Sequence, residues 1–183
     1  MSQTFVAPHL DVKAFAKAAA TLSGQEPLSK YERLMEEAQG SAADPMVDWQ
    51  VRGEVREDAS GHEAVWMHLS ANVDVPQICQ RCLAPTDTPV AVDRFFRFVA
   101  TEALAQAQDD ESEEDLLVLS RDFNLKELIE DELLMSLPIV PRHEVCPTEV
   151  KLAVQDPDFE AAVGQKQNPF AVLAKLQGGK SST

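Results

Sequence analysis

Val65-Trp66-Met67-His68-Leu69-Ser70-Ala71-Asn72-Val73-Asp74-Val75 is the stretch that decides the fold. Val65, Met67, Leu69, Ala71, Val73 and Val75 take every second place, against Trp66, His68, Ser70, Asn72 and Asp74. A period of two puts the first set on one face of an extended strand and the second on the other. Upstream, Val47, Trp49, Val51 and Val55 repeat the pattern, broken only at Gly53. Between these strands, the polar run Arg56 to His62 contains Gly61 and reads as a hairpin loop. Downstream, Thr88 to Ala100 predicts a third strand with Val90, Val92, Phe96 and Phe98 on one side. Three strands joined by short links imply an antiparallel meander.

The flanks change period. Residues 1–45 read as a helical arm. Asp11 caps a first helix through Val12, Phe15, Ala16 and Ala19, which Gly24 ends. A second helix starts near Pro27 and runs through Tyr31, Leu34, Met35 and Ala38 to Gly40. After the meander, the run Asp109-Asp110-Glu111-Ser112-Glu113-Glu114-Asp115 repels itself, so a mobile acidic loop is expected at about 105–115. Such a loop is either plain solvated chain or a landing strip for a basic protein. Asn124 to Leu137 reads as the best helix: Asn124 caps it, and Leu125, Leu128, Ile129 and Leu133 form its buried stripe. Glu127, Glu130 and Asp131 are expected on or near the wet side, and Pro138 and Pro141 stop the helix. The expected fold is therefore α+β, an antiparallel sheet over residues 46–100 packed with a few helices. A core domain of residues 46–155 would carry the arm at one end and a flexible tail, 156–183, at the other.

Composition narrows the function. The 183 residues are 44% hydrophobic and 26% charged, which is globular, and the formal net charge is −15. A protein that grips phosphate backbone needs clustered Lys and Arg, so this balance points instead to a basic partner. Three cysteines, an odd number, suit reduced thiols in the cytosol better than disulfides. No apolar run is long enough to span a membrane, and the start Met1-Ser2-Gln3-Thr4-Phe5 lacks the pattern of a secretory signal, so a cytoplasmic location is expected.

Cys79-Gln80-Arg81-Cys82 carries the strongest chemical signal. A redox Cys-x-x-Cys pair opens a helix, whereas Pro76 before this pair and Pro85 after it favour a turn between strands, as in a zinc knuckle. His143-Glu144-Val145-Cys146 repeats the two-residue gap. Together Cys79, Cys82, His143 and Cys146 make a candidate three-Cys, one-His site for structural Zn2+, closing a loop of about sixty residues. Free thiols without a catalytic role are the competing reading. His9, His62 and His68 read as ordinary surface or strand histidines. Arg81 beside the cysteines is a candidate RNA contact, with Arg94, Arg97 and Arg121 as neighbours.

Three blocks occur in order: Val75-Pro76-Gln77-Ile78-Cys79-Gln80-Arg81-Cys82-Leu83, then Glu130-Asp131-Glu132-Leu133-Leu134-Met135-Ser136-Leu137-Pro138-Ile139-Val140-Pro141, then Asn168-Pro169-Phe170-Ala171-Val172-Leu173-Ala174-Lys175-Leu176. In this arrangement the chain resembles the bacterial YceD-type family of large ribosomal RNA subunit accumulation proteins, from about Trp49 to Leu176. The resemblance implies a role in synthesis, processing or stability of large-subunit (23S) ribosomal RNA, with no established catalytic residues. The expected function is thus a non-enzymatic ribosome-biogenesis factor, its partner a ribosomal protein or an assembly or RNA-processing factor. RNA contact would be mostly indirect. A zinc- or thiol-dependent RNA-related enzyme, or an adaptor recruiting an RNA-processing enzyme, are the alternatives. The last block has its own physical reading: Asn168 caps and Pro169 opens a short helix whose Phe170, Leu173 and Leu176 would dock, on this domain or on a partner.

Overall fold

The computed structural model describes residues 4–57, 61–149 and 151. Their elements run α1 (Val12–Lys17), β1 (Thr21–Pro27), α2 (Glu32–Glu36), β2 (Met46–Glu57), β3 (Glu63–Ile78), β4 (Pro85–Val99), α3 (Glu102–Gln108), β5 (Asp115–Val118) and α4 (Leu125–Met135). The five strands form one sheet in chain order. The expected α+β class and the central meander are present: β2, β3 and β4 pair antiparallel, with Val51 opposite Leu69 and Leu69 opposite Arg94. The sheet is larger and mixed, however, because β1 adds antiparallel to β2 and β5 adds parallel to β4.

Burial follows the alternation. Val65, Met67, Leu69, Ala71, Val73 and Val75 are all buried, together with Val90, Val92, Phe96 and Phe98 of β4. α1 covers this face over β2 and β3, and α4 covers it over β3 and β4. Gly53 breaks the alternation because α1 lies directly on it. A Cβ there would stand 2.6 Å from Phe15 Cδ1 and 2.9 Å from the Ala16 backbone, closer than packed atoms come. On the other face Gln50, Arg52, Asn72 and Asp93 are exposed.

Residues 4–45 are not helical throughout, since between α1 and α2 they supply β1, which pairs with β2 at the edge of the sheet. α1 begins as expected, with the Asp11 carboxylate accepting from Ala14 N at 2.9 Å. It ends earlier, at Ala18, and Ala19 takes the left-handed conformation that usually marks a helix end with glycine (φ +46°). Gly24 instead lies in β1 opposite Trp49, where a Cβ would meet the indole. Pro27 closes β1 and leads into a single 3-10 turn, Leu28–Lys30, so the second α-helix shrinks to Glu32–Glu36.

Two acidic expectations also change. Residues 105–115 are not a loose loop. Thr101 Oγ1 caps α3 by accepting from Leu104 N, and the Arg97 guanidinium holds Glu114 (2.6 Å), Ser112 (2.8 Å) and Gln108 (3.1 Å), which leads the chain into β5. Glu130 does not face water. It is 9% exposed, and its Oε1 accepts from Arg33 N (2.8 Å) and Leu34 N (3.2 Å) at the start of α2. A carboxylate of α4 thus serves as the missing cap of α2, satisfying amides that no side chain of α2 reaches. The rest of α4 is as expected, with Asn124 Oδ1 accepting from Glu127 N and Leu125, Leu128, Ile129 and Leu133 buried.

Candidate metal centre

Beyond Val75 the strand β3 runs out of the core and into the first cysteine turn. Cys79 N donates to Ala84 O (2.9 Å) and Leu83 N donates to Cys79 O (2.8 Å), which curls residues 79–84 into a tight loop. The curl puts Leu83 at φ +60°, a conformation that costs a residue with a Cβ about 1–2 kcal/mol. What it achieves is a set of backbone N–H groups aimed at sulfur: those of Arg81 and Cys82 point at Cys79, and that of Ala84 at Cys82. This is the knuckle expected from the proline-flanked Cys-x-x-Cys pair.

The second half arrives from the stop of α4. Pro138 and Pro141 keep residues 138–142 out of helix, and Gln80 N donates to Pro141 O at 2.9 Å, laying this segment beside the knuckle. His143 and Cys146 follow. Among the described residues, the ligand atoms of Cys79, Cys82, His143 and Cys146 all lie within 4.8 Å of one another. Cys79 Sγ is 4.0 Å from Cys146 Sγ, and Cys82 Sγ is 3.4 Å from His143 Nδ1. A tetrahedral zinc site, with bonds of about 2.3 Å to sulfur and about 2.0 Å to nitrogen, has edges of about 3.5–3.8 Å. The four residues therefore match the size and donor set of such a site and could hold a metal ion.

Two further features fit. His143 Nε2 lies 3.0 Å from Pro85 O, and a carbonyl only accepts, so that nitrogen carries the proton and Nδ1 presents its lone pair to the sulfurs. The electrostatics favour a thiolate at the buried position. Burial pushes the Cys79 thiol up, but the N–H groups of His143, Cys82 and Arg81 outweigh it and bring its pKa down to about 5. For Cys82, the Ala84 N–H pulls down, and burial with the neighbouring sulfurs of Cys146 and Cys79 overrides it, so that thiol is raised. Three sulfurs this close cannot all ionise without a compensating cation.

Arg81 supplies part of that compensation. Its Nε donates to Cys146 Sγ (3.0 Å) and its Nη2 to the carbonyls of His143 (2.8 Å) and Glu144 (3.2 Å). The candidate RNA contact is thus turned back onto the cluster. Two of its three suggested neighbours are also engaged: Arg94 pairs with Asp115 and with Glu132, and Arg97 with Glu114. His9 and His68, read as ordinary surface or strand histidines, each meet a carboxylate at 2.6 Å, Asp122 and Asp93; His9 and both carboxylates are largely exposed, the kind of pair that contributes little. Asn168, Pro169, Phe170, Leu173 and Leu176, the candidate docking helix, lie outside the described residues.

The residue that sequence reasoning passed over is Gln77. It is 7% exposed, and its Oε1 is buried without a hydrogen-bond partner. The signal was there, since Gln77 occupies the apolar parity of Val73 and Val75. No helix among the described residues is long and apolar enough to cross a membrane.

Compared with known proteins, the chain matches the model of one family, described as "Large ribosomal RNA subunit accumulation protein YceD", over residues 67–177. No solved structure matches it. The matched region starts inside β3 and includes β4, β5, α4 and all four cluster residues. With more than half of its length matched, this chain belongs to the YceD family of large ribosomal RNA subunit accumulation proteins.

Proposed function

We propose that this protein is a non-enzymatic ribosome-biogenesis factor of the cytoplasm that supports synthesis, processing or stability of 23S ribosomal RNA through a basic protein partner. Family membership carries the ribosomal role, because the family is named for accumulation of that RNA. The choice of a protein partner rests on charge. A chain of net charge −15, whose Arg81, Arg94 and Arg97 are each held by its own groups, repels phosphate as a whole. A ribosomal protein, rich in Lys and Arg, is attracted by the same field.

Within this reading Cys79, Cys82, His143 and Cys146 hold a structural zinc ion. Four protein ligands close the coordination shell, whereas catalytic zinc keeps a position open for water or substrate, so the donor set argues against a zinc hydrolase. The ion would neutralise the thiolates and fasten residues 138–146, which lack regular secondary structure, to the end of the sheet.

The test is the ratio of large- to small-subunit ribosomal RNA in a strain lacking the protein. The expected result is a lowered ratio, restored by the intact chain and not by one carrying Cys79→Ser with Cys82→Ser. An unchanged ratio would remove the ribosomal role, and full rescue by the double variant would remove the metal centre from it.

A further inference from the structure

We infer that the groove beside the metal centre is a docking site for an extended, basic, aliphatic peptide of the partner protein, an inference that rests on the ribosomal reading above and locates its contact. The groove, about 390 Å3, lies between the end of α2, the end of β3 and the segment after α4. Glu37 stands on its first wall, Gln77 and Ile78 on the second, and Leu137, Ile139 and Val140 on the third.

Three observations point to a peptide. Its apolar lining continues into exposed side chains: Ile139 is 100% and Val140 55% exposed, and Leu83 (73%) and Val145 (84%) stand on the two adjoining turns. Large apolar groups gathered at one end of a domain mark an interaction surface. Gln77 lines this wall with its Oε1 buried and unpaired, which costs about 1–3 kcal/mol, and a turn of the side chain toward the groove would offer that acceptor to a donor. A peptide backbone N–H is such a donor, and an extended segment offers one beside each aliphatic side chain. Glu37 is the one charged group of the lining, and with the net charge of −15 it selects Lys or Arg over Asp or Glu in the occupant.

The groove also gives the metal centre a purpose. Its third wall, Leu137 to Pro141, is irregular chain held by the bond from Gln80 N to Pro141 O and by the ligands His143 and Cys146 just beyond. Fixing these ligands fixes the wall, so the partner meets a preformed groove and loses less ordering entropy on binding.

The experiment uses short overlapping labelled peptides tiling the large-subunit ribosomal proteins, titrated with the full chain and followed by fluorescence anisotropy. Binders should combine aliphatic residues with Lys or Arg and weaken as salt rises. Gln77→Leu removes the acceptor while keeping the buried volume, and Ile139→Asp changes a fully exposed side chain, so both chains should fold. Each should lose about tenfold or more in affinity, the scale of one hydrogen bond or one apolar anchor. No binding peptide, binding that both variants retain, or dimerisation of the free chain through this face would overturn the inference. In the strain lacking the protein the two proposals separate. An unchanged ribosomal RNA ratio defeats the ribosomal role, whereas a lowered ratio fully restored by both variants leaves that role standing and defeats the groove.

Discussion

The strand β3 passes through two regions that are held by different physics. In its middle, Met67 and Leu69 are fully buried under α1 and α4, and the chain is fixed by the removal of apolar surface from water. At its far end, past Ile78, the neighbouring segment 136–147 has no helix or strand, and Met135, Ile139, Val140 and Val145 are exposed. What organises that end is a set of polar contacts to three sulfurs and one imidazole. The contrast predicts that the sheet forms on apolar burial alone, and that the thiol cluster orders only its one end.

The comparison breaks if the two regions respond alike. The largest effect is expected from Leu69→Ala, which empties a site with no exposure and should cost about 2–5 kcal/mol in denaturant unfolding. Gly53→Ala tests the seat of α1: the added methyl meets Phe15 and the Ala16 backbone, and overpacking of this kind costs about 1–3 kcal/mol, read as a lower thermal midpoint. In the opposite direction, Ala19→Gly relieves a left-handed residue at the end of α1 and should raise stability by about 1 kcal/mol. The smallest effect on the sheet should come from a chelator. Removing metal should leave the far-ultraviolet circular dichroism of the strands nearly unchanged while proteolysis begins within residues 136–147. A cooperative loss of the whole sheet would erase the distinction between the two regions.

The sequence made one region more legible than the other. The period-two pattern of β3 and β4 could be read directly because one face is buried and the other wet, so most of their apolar residues share one parity, with Trp66 and Phe95 on the wet face as exceptions. The caps Asp11 and Asn124 were legible for a local reason: each carboxylate or amide bonds an amide three residues on. The edge strands were not. Thr21–Pro27 has only Leu22 as a large apolar residue, and its Gly24 and Pro27 mimic helix punctuation while their causes, Trp49 and the sheet edge, lie elsewhere in the chain. β5 follows an acidic run that looks unpackable until Arg97, about fifteen residues upstream, supplies the opposite charge. Glu130 read as solvated because its partners, the amides of Arg33 and Leu34, belong to another helix.

The four cluster residues were readable as a set from two matching gaps, and the structure brings them together. Arg81 was readable as chemically important but not in its direction. Its three bonds to Cys146, His143 and Glu144 depend on how the second turn folds back, which no spacing encodes. Gln77 showed its parity in the sequence, but only the packed structure reveals that its acceptor has no donor.

Metal content is the most direct test of the central claim, that Cys79, Cys82, His143 and Cys146 form a structural metal centre at the end of the sheet. Native mass spectrometry of the full chain, purified without chelators, should show one zinc ion per molecule, and Cys79→Ser should lose it while keeping the circular dichroism of the sheet. A chain that is folded, fully reduced and carries far less than one zinc per molecule would contradict the account.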